Sequence, residues 1–307
     1  MATDANSADG AESGGFTGQR VSRWRGKVFL TICFAATMFG IVALGVLLAF
    51  VLMDALGIPT GNWWLDLQFL TSATSSVASE AGIYPALVGS IYLILLVAFI
   101  TFPLGVGAAI YLEEYAPNNR FVRVLQINIA NLAGVPSVVY GLLGFAVFIV
   151  ALKLPGGSLL VASMTLSLLI LPIVIISARE AIRGVPDSMR RASYGMGATR
   201  WQTVKNVVLP EALPGILTGT ILALGRAIGE TAPLILVGVP TVIYSTPEGP
   251  LEQFAAMPMQ IYAWALNRPS EEFRYGVMAA GVVTLVTVMI LMNSVAIFIR
   301  NRYQTRS

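Results

Sequence analysis

The sequence predicts an all-α membrane protein, a polytopic bundle of six transmembrane helices with a long basic loop between two of them. Three observations carry that expectation. Charged residues make up 11% of the chain and hydrophobic ones 56%, where soluble domains carry about 25% charged residues. Uncharged apolar runs recur that are long enough to cross a bilayer, which takes about 20 residues of helix. Lys and Arg gather in alternate connections, as they do in cytoplasmic loops.

The first stretch, MATDANSADGAESGGFTGQ, is rich in Gly, Ser, Ala and acids. It cannot bury enough apolar surface to fold, so 1–26 is expected to be a disordered cytoplasmic tail. It lacks the basic-then-apolar design of a cleaved signal peptide. The first span (28–53) and an outer loop fill 27–83, and the core domain is expected at 84–300. Its spans are expected at 84–112, 127–152, 158–178, 213–239 and 275–299, with a short tail at 301–307. Pro103, Pro136, Pro172 and Pro233 fall inside spans and predict kinks or breaks. Neighbouring helices satisfy the backbone groups that such prolines free.

With the N-terminus inside, the inner segments hold fifteen Lys and Arg and the outer ones three, Lys153, Arg268 and Arg274. Both termini are therefore expected in the cytoplasm, with the chain in the cell membrane. The first outer loop carries Trp63 and Trp64, which suit a membrane interface, and the last carries Glu248, Glu252, Glu271 and Glu272. Both are long enough to fold back on the bundle or to meet an external partner.

Several chemistries are excluded or made remote. There is no histidine, which removes His-based acid–base work and most transition-metal sites. A lone Cys33 excludes an internal disulfide. No G-x-x-x-x-G-K-[ST] motif is present, so the chain is not its own P-loop ATPase. We expect no catalytic residue, no metal and no cofactor of its own; lipid is its surround and nucleic acid is not an expected partner.

Two stretches carry the expected chemistry. Arg226 and Glu230 stand four apart in the fifth span, about 40° apart on one helical face. Each charge at the centre of a span costs at least about 2.5–3.5 kcal/mol. They are either an internal ion pair that fixes packing or the polar lining of a transport path. An arginine there suits an oxyanion, because its planar fork donates paired hydrogen bonds. Glu230 would hold it in position or accept a proton. Gly215-x-x-x-Gly219 and Gly225-x-x-x-Gly229 lie in the same helix, a spacing that lets another helix approach closely. In the third span Asn128, Asn131, Ser137 and Tyr140 surround Gly134-Val135-Pro136; the two asparagines share a face and either line the path or bond between helices.

The second stretch is the inner loop 179–212. Pro186-Asp187-Ser188 reads as the start of a short helix through Met196, which Gly197 breaks. Thr199 caps a second short helix over 200–208, which Leu209-Pro210 is expected to end. Apolar Ala192, Tyr194, Met196 and Trp201 among cations make a docking piece or a segment lying on anionic lipid.

Here the residues resemble a known family. Arg191-Ala192-Ser193, Gly197 and Leu209-Pro210 follow the spacing of the coupling motif of ABC importer permeases, with Arg191 where that motif carries glutamate. Residues 103–115, 134–141, 225–234 and 259–265 are similar to the PstA-type permeases of phosphate importers. The resemblance covers about 84–300. It implies a type I importer fold and a permease subunit for inorganic phosphate. The implied partners are a PstC-like permease, a dimer of PstB-like ATPases that bind the ATP, and an extracytoplasmic phosphate-binding protein. It implies that Arg226 and Glu230 lie on the substrate path, where Thr231, Asn131 and Tyr140 are expected with them, and makes Arg191, Ala192, Ser193, Gly197, Leu209 and Pro210 the ATPase dock. A permease for sulfate, molybdate or tungstate, or a transporter or channel working alone, are the alternatives.

Overall fold

The computed structural model describes residues 23–58, 61–267 and 270–304. Most of the tail expected at 1–26, and the last residues of the one at 301–307, lie outside them. The chain divides into two units, 1–50 and 51–307. Of the first unit, the described part belongs to α1 (Arg23–Ala55), an apolar helix long enough to cross a membrane.

The second unit is helical, with one isolated bridge between Ser158 and Gln253. It contains α2 (Leu67–Thr71), α3 (Tyr84–Ile110), α4 (Arg120–Leu132), α5 (Ser137–Gly144), α6 (Leu159–Arg183) and α7 (Asp187–Gly195). Then come α8 (Arg200–Thr203), α9 (Leu209–Ile228), α10 (Ala232–Leu236), α11 (Met257–Asn267) and α12 (Met278–Gln304). Wider π turns extend α3 through Tyr115, α5 through Ala151 and α12 back to Glu272. Side-chain caps start several helices: Asp66 accepts from the Phe69 N–H at 2.7 Å and Asn119 from the Val122 N–H at 2.9 Å.

The centre of the unit is α6. Its Leu166, Ile170 and Val174 are buried against Leu93, Ile94 and Val97 of α3 and Ala223 and Ala227 of α9. Lipid tails are as apolar as leucine, so close packing holds such helices together more than removal from water does. A Cβ at Gly105 would crowd Val174, one at Gly215 would crowd Ala181, and one at Gly219 would overlap the Ser177 hydroxyl. The Gly215–Gly219 pair is thus the contact of α9 with α6. Hydroxyls inside the bundle bond back onto their own helices, as Thr165 does to Val161 O (2.7 Å) and Thr220 to Ile216 O (2.9 Å).

Among the described residues five helices are long and apolar enough to span a membrane, or six if one bent pair counts as a span. That pair is the third expected span. The span expected at 127–152 is broken at Pro136, one of the two outcomes that proline predicted, and α4 and the extended α5 meet at 105°. Pro136 sits at the start of α5, and the Tyr140 hydroxyl donates to Leu132 O at 2.8 Å across the bend.

The fifth span differs from expectation. Leu209-Pro210 does not end the preceding helix; residues Arg200–Ile228 form one helical run through a π turn at Val204–Val208. In this wider turn the Leu209 N–H donates to Val204 O, five residues back, and the helix continues through Pro210. The run stops at Gly229, because Pro233 has no N–H to offer and its ring collides with the carbonyl four residues back. The span expected at 213–239 is therefore broken, as Pro233 allowed, and α10 resumes after Thr231.

Both loops expected outside fold back on the bundle. In α11, Met257, Met259, Gln260 and Trp264 are fully buried, and the Trp264 ring lies 5.9 Å from Phe69. Trp64 covers Gly276 so closely that a Cβ there would overlap its ring. The Leu159 and Leu160 N–H groups at the start of α6 donate to Glu252 O (2.9 Å) and Pro250 O (2.7 Å). These loops are caps on the bundle, not free connectors.

Candidate transport and coupling sites

Arg226 stands in the last turn of α9, where a cation meets the negative end of the helix dipole. Glu230 lies just past the helix end, so the two do not share one helical face as the spacing predicted. They still meet: Arg226 Nε lies 3.3 Å from Glu230 Oε1. The Glu230 side chain is mostly covered and that of Arg226 is half exposed. Only Nε of the guanidinium is engaged; its two terminal nitrogens bond nothing among the described residues. The carboxylate thus holds the root of the fork and leaves its open side free. A planar, fixed cation of this kind can take an oxyanion through two parallel N–H donors.

Tyr140 is buried close enough to feel the Arg226 charge, but its hydroxyl is spent on Leu132 O. It clasps the bend beside the arginine. Thr231 is half-buried in the break next to Glu230, and its carbonyl accepts from the Ile235 N–H at 3.1 Å. Asn131 is exposed near the end of α4, where its carbonyl accepts from the Gly134 N–H. Asn128 donates to Val124 O of its own helix at 2.9 Å, so it forms no link between helices. The second small-residue pair divides its work: Gly225 faces Asn293 of α12, and Gly229 ends the helix.

The basic segment forms two helices set at Gly197, whose φ of +82° suits a residue without Cβ. Asp187 is the first helical residue of α7, one place after Pro186 at the cap position. Thr199 starts α8 with a full capping box: it accepts from the Gln202 N–H, and the Gln202 side chain accepts from the Thr199 N–H at 2.8 Å. Ser193 and Thr203 hydroxyls, 2.9 Å apart, join α7 to α8. Ala192, Ser193 and Gly197 line an open groove with Met189, Met196 and Gln202. Arg191 is exposed beside it and makes no ion pair among the described residues. Leu209 packs into the core under the segment and Pro210 is exposed in the helical run, so neither lines the groove.

One cluster escaped the sequence. At the end of α3, Glu113 accepts from Arg179 Nε at 2.7 Å and pairs with Arg183 Nη2 at 2.9 Å. Its neighbour Glu114, 6% exposed, pairs with Arg190 at 3.1 Å. Arg190 also donates to Ile182 O (2.8 Å), in the last turn of α6, and to Val185 O just past it. The Arg200 guanidinium lies 5.1 Å above the Tyr115 ring. The one available signal was the adjacent carboxylates closing an apolar run, ahead of a loop rich in arginine.

An apolar bundle with a surface-exposed two-helix segment running directly into the helix that carries an unspent arginine defines a membrane transport permease. Residues 101–306 match the family described as "Binding-protein-dependent transport system inner membrane component", and the chain belongs to that family. The phosphate transport system permease protein PstA 1 of Mycobacterium tuberculosis (strain ATCC 25618 / H37Rv) is 34% identical over 287 residues, 91% of this chain and 88% of that protein. The probable ABC transporter permease protein YqgI of Bacillus subtilis (strain 168) is 37% identical over 201 residues, 66% of this chain and 68% of that one. Among solved structures, a bacterial ABC transporter involved in the import of the acidic polysaccharide alginate aligns at TM-score 0.60. It shares 14% identity, with 91% of this chain and 99% of that chain covered, which shows the shared fold.

Proposed function

We propose that the chain is the permease subunit of an ATP-driven importer of inorganic phosphate. The observation that carries the reading is Arg226: a fixed guanidinium at the break of a membrane helix, with two terminal nitrogens unspent. PstA relatives at 34% and 38% identity supply the anion. On this reading Arg226 takes a phosphate oxygen pair, Glu230 orients the guanidinium, and Thr231 stands beside them. Asn131 and Tyr140 belong to the same region, Tyr140 by fixing its shape. The exposed side of Arg226 is completed by a second, PstC-like permease. The groove of Ala192, Ser193 and Gly197, with Arg191 at its rim, receives a dimer of PstB-like ATPases, which bind the ATP; this chain holds no cofactor. An extracytoplasmic phosphate-binding protein delivers the anion to the opposite side, and both termini lie in the cytoplasm.

Uptake of radiolabelled phosphate by cells carrying the assembled complex tests the reading. Arg226→Glu should abolish uptake while the partner subunits still co-purify. Unimpaired uptake removes Arg226 from the path. Competition by sulfate, molybdate or tungstate at concentrations equal to phosphate would reassign the anion.

A further inference from the structure

The carboxylate pair at the end of α3 is unexplained by anion binding or by ATPase docking, since neither group faces the groove or Arg226. Its partners come from every part of the basic segment. Arg179 and Arg183 at the end of α6 hold Glu113, Arg190 of α7 holds Glu114, and Arg200 of α8 lies on Tyr115. Arg179 is 8% exposed and Glu114 6%. Buried ion pairs add little stability over apolar packing of the same volume, yet they fix one geometry, because sliding would leave a charge unpaired. An apolar contact at this place could slip by a residue; this one cannot.

The chain itself already connects the basic segment to α6 at one end and α9 at the other. It offers no direct covalent route to α3. Arg190 supplies a non-covalent one: a single guanidinium joins Glu114 at the end of α3, Asp187 at the start of α7, Ile182 O in α6 and Val185 O just past it. We propose that Glu114 and Arg190 are a positioning pair that makes α3 move with the ATPase-facing segment, so that force on α7 reaches the bundle through α3 as well as along the chain. The inference rests on the importer reading above. Loss of the pair then leaves the ATPases turning over while the bundle follows poorly.

The test is the ratio of ATP hydrolysed to anion imported by the purified complex in proteoliposomes, at matched amounts of assembled complex. Glu114→Gln keeps shape and an acceptor but removes the charge. It should raise the ratio about tenfold, within the usual span of coupling between sites. A purely structural role would lower the amount of complex and leave the ratio unchanged, and that result overturns the proposal. If Glu114→Gln fails to assemble, Arg190→Lys decides. It keeps a cation opposite Glu114, so folding survives, but one ammonium cannot hold Glu114, Asp187 and the two carbonyls together. A rise of about threefold supports the proposal, and an unchanged ratio sinks it. Should the wild-type complex import a different oxyanion, the ratio is taken with that anion, so failure of the phosphate reading and failure of the pair are separate results.

Discussion

Gly219 and Gly107 make opposite demands on the same kind of residue. At Gly219 the backbone of α9 lies against Ser177 of α6, with no room for a Cβ; at Gly107 nothing lies within 4 Å. Gly219→Leu should therefore cost about 1–3 kcal/mol or more through overpacking, seen as a lower melting temperature of the detergent-solubilised chain. Gly107→Ala should be neutral or stabilise by about 0.5–1 kcal/mol, since helix interiors favour alanine. Tyr140 is a third single-residue case. Its hydroxyl is the side-chain group that bridges the bend between α4 and α5. Tyr140→Phe should lose about 0.5–1.5 kcal/mol, the net worth of one hydrogen bond, since Leu132 O keeps the Val135 N–H, and the same melting experiment reads it.

At the scale of elements, the short α8 depends on its cap. Thr199→Ala removes the capping box and should destabilise the start of the run by about 1 kcal/mol. Hydrogen exchange should quicken at the amides of Gln202 and its neighbours, with α12 unchanged. This cap and the break at Gly197 were legible in the sequence, because both are local: a hydroxyl three residues before its donor, and a backbone angle open to glycine. The end of the same element was not. Leu209-Pro210 has the composition of a stop, and only the widened turn before it lets the helix continue. The angle of the α4–α5 bend was equally out of reach. Pro136 announces a kink or a break, but neither its angle of 105° nor the reach of the Tyr140 hydroxyl to Leu132 O across it.

For the whole molecule, the spans follow from composition, and the expected sidedness rests on the Lys and Arg count. The sidedness has a direct check. In a Cys33→Ser background, a membrane-impermeant thiol reagent applied to intact cells should label Lys153→Cys and spare Met196→Cys. The reverse pattern would invert the topology. Legibility failed where partners are far apart in the chain. Glu113 and Arg179 are 66 residues apart, and Glu114 and Arg190 are 76; no periodicity within one segment registers such a pairing. Arg226 and Glu230 were legible as a pair because two charges in an apolar run are expensive, yet the helix end between them was hidden by the helical spacing itself.

That helix end has a mechanical meaning. From Arg200 to Ile228 the run is 29 residues long, about 43 Å at 1.5 Å per residue. Arg226 rides on this rod near its tip. Glu230 stands beyond the joint at Gly229, on the side that leads into α10. The 3.3 Å contact between them therefore bridges a hinge. Any rotation or thrust of the rod against α10 acts on that contact, and so on how firmly the guanidinium of Arg226 is tethered.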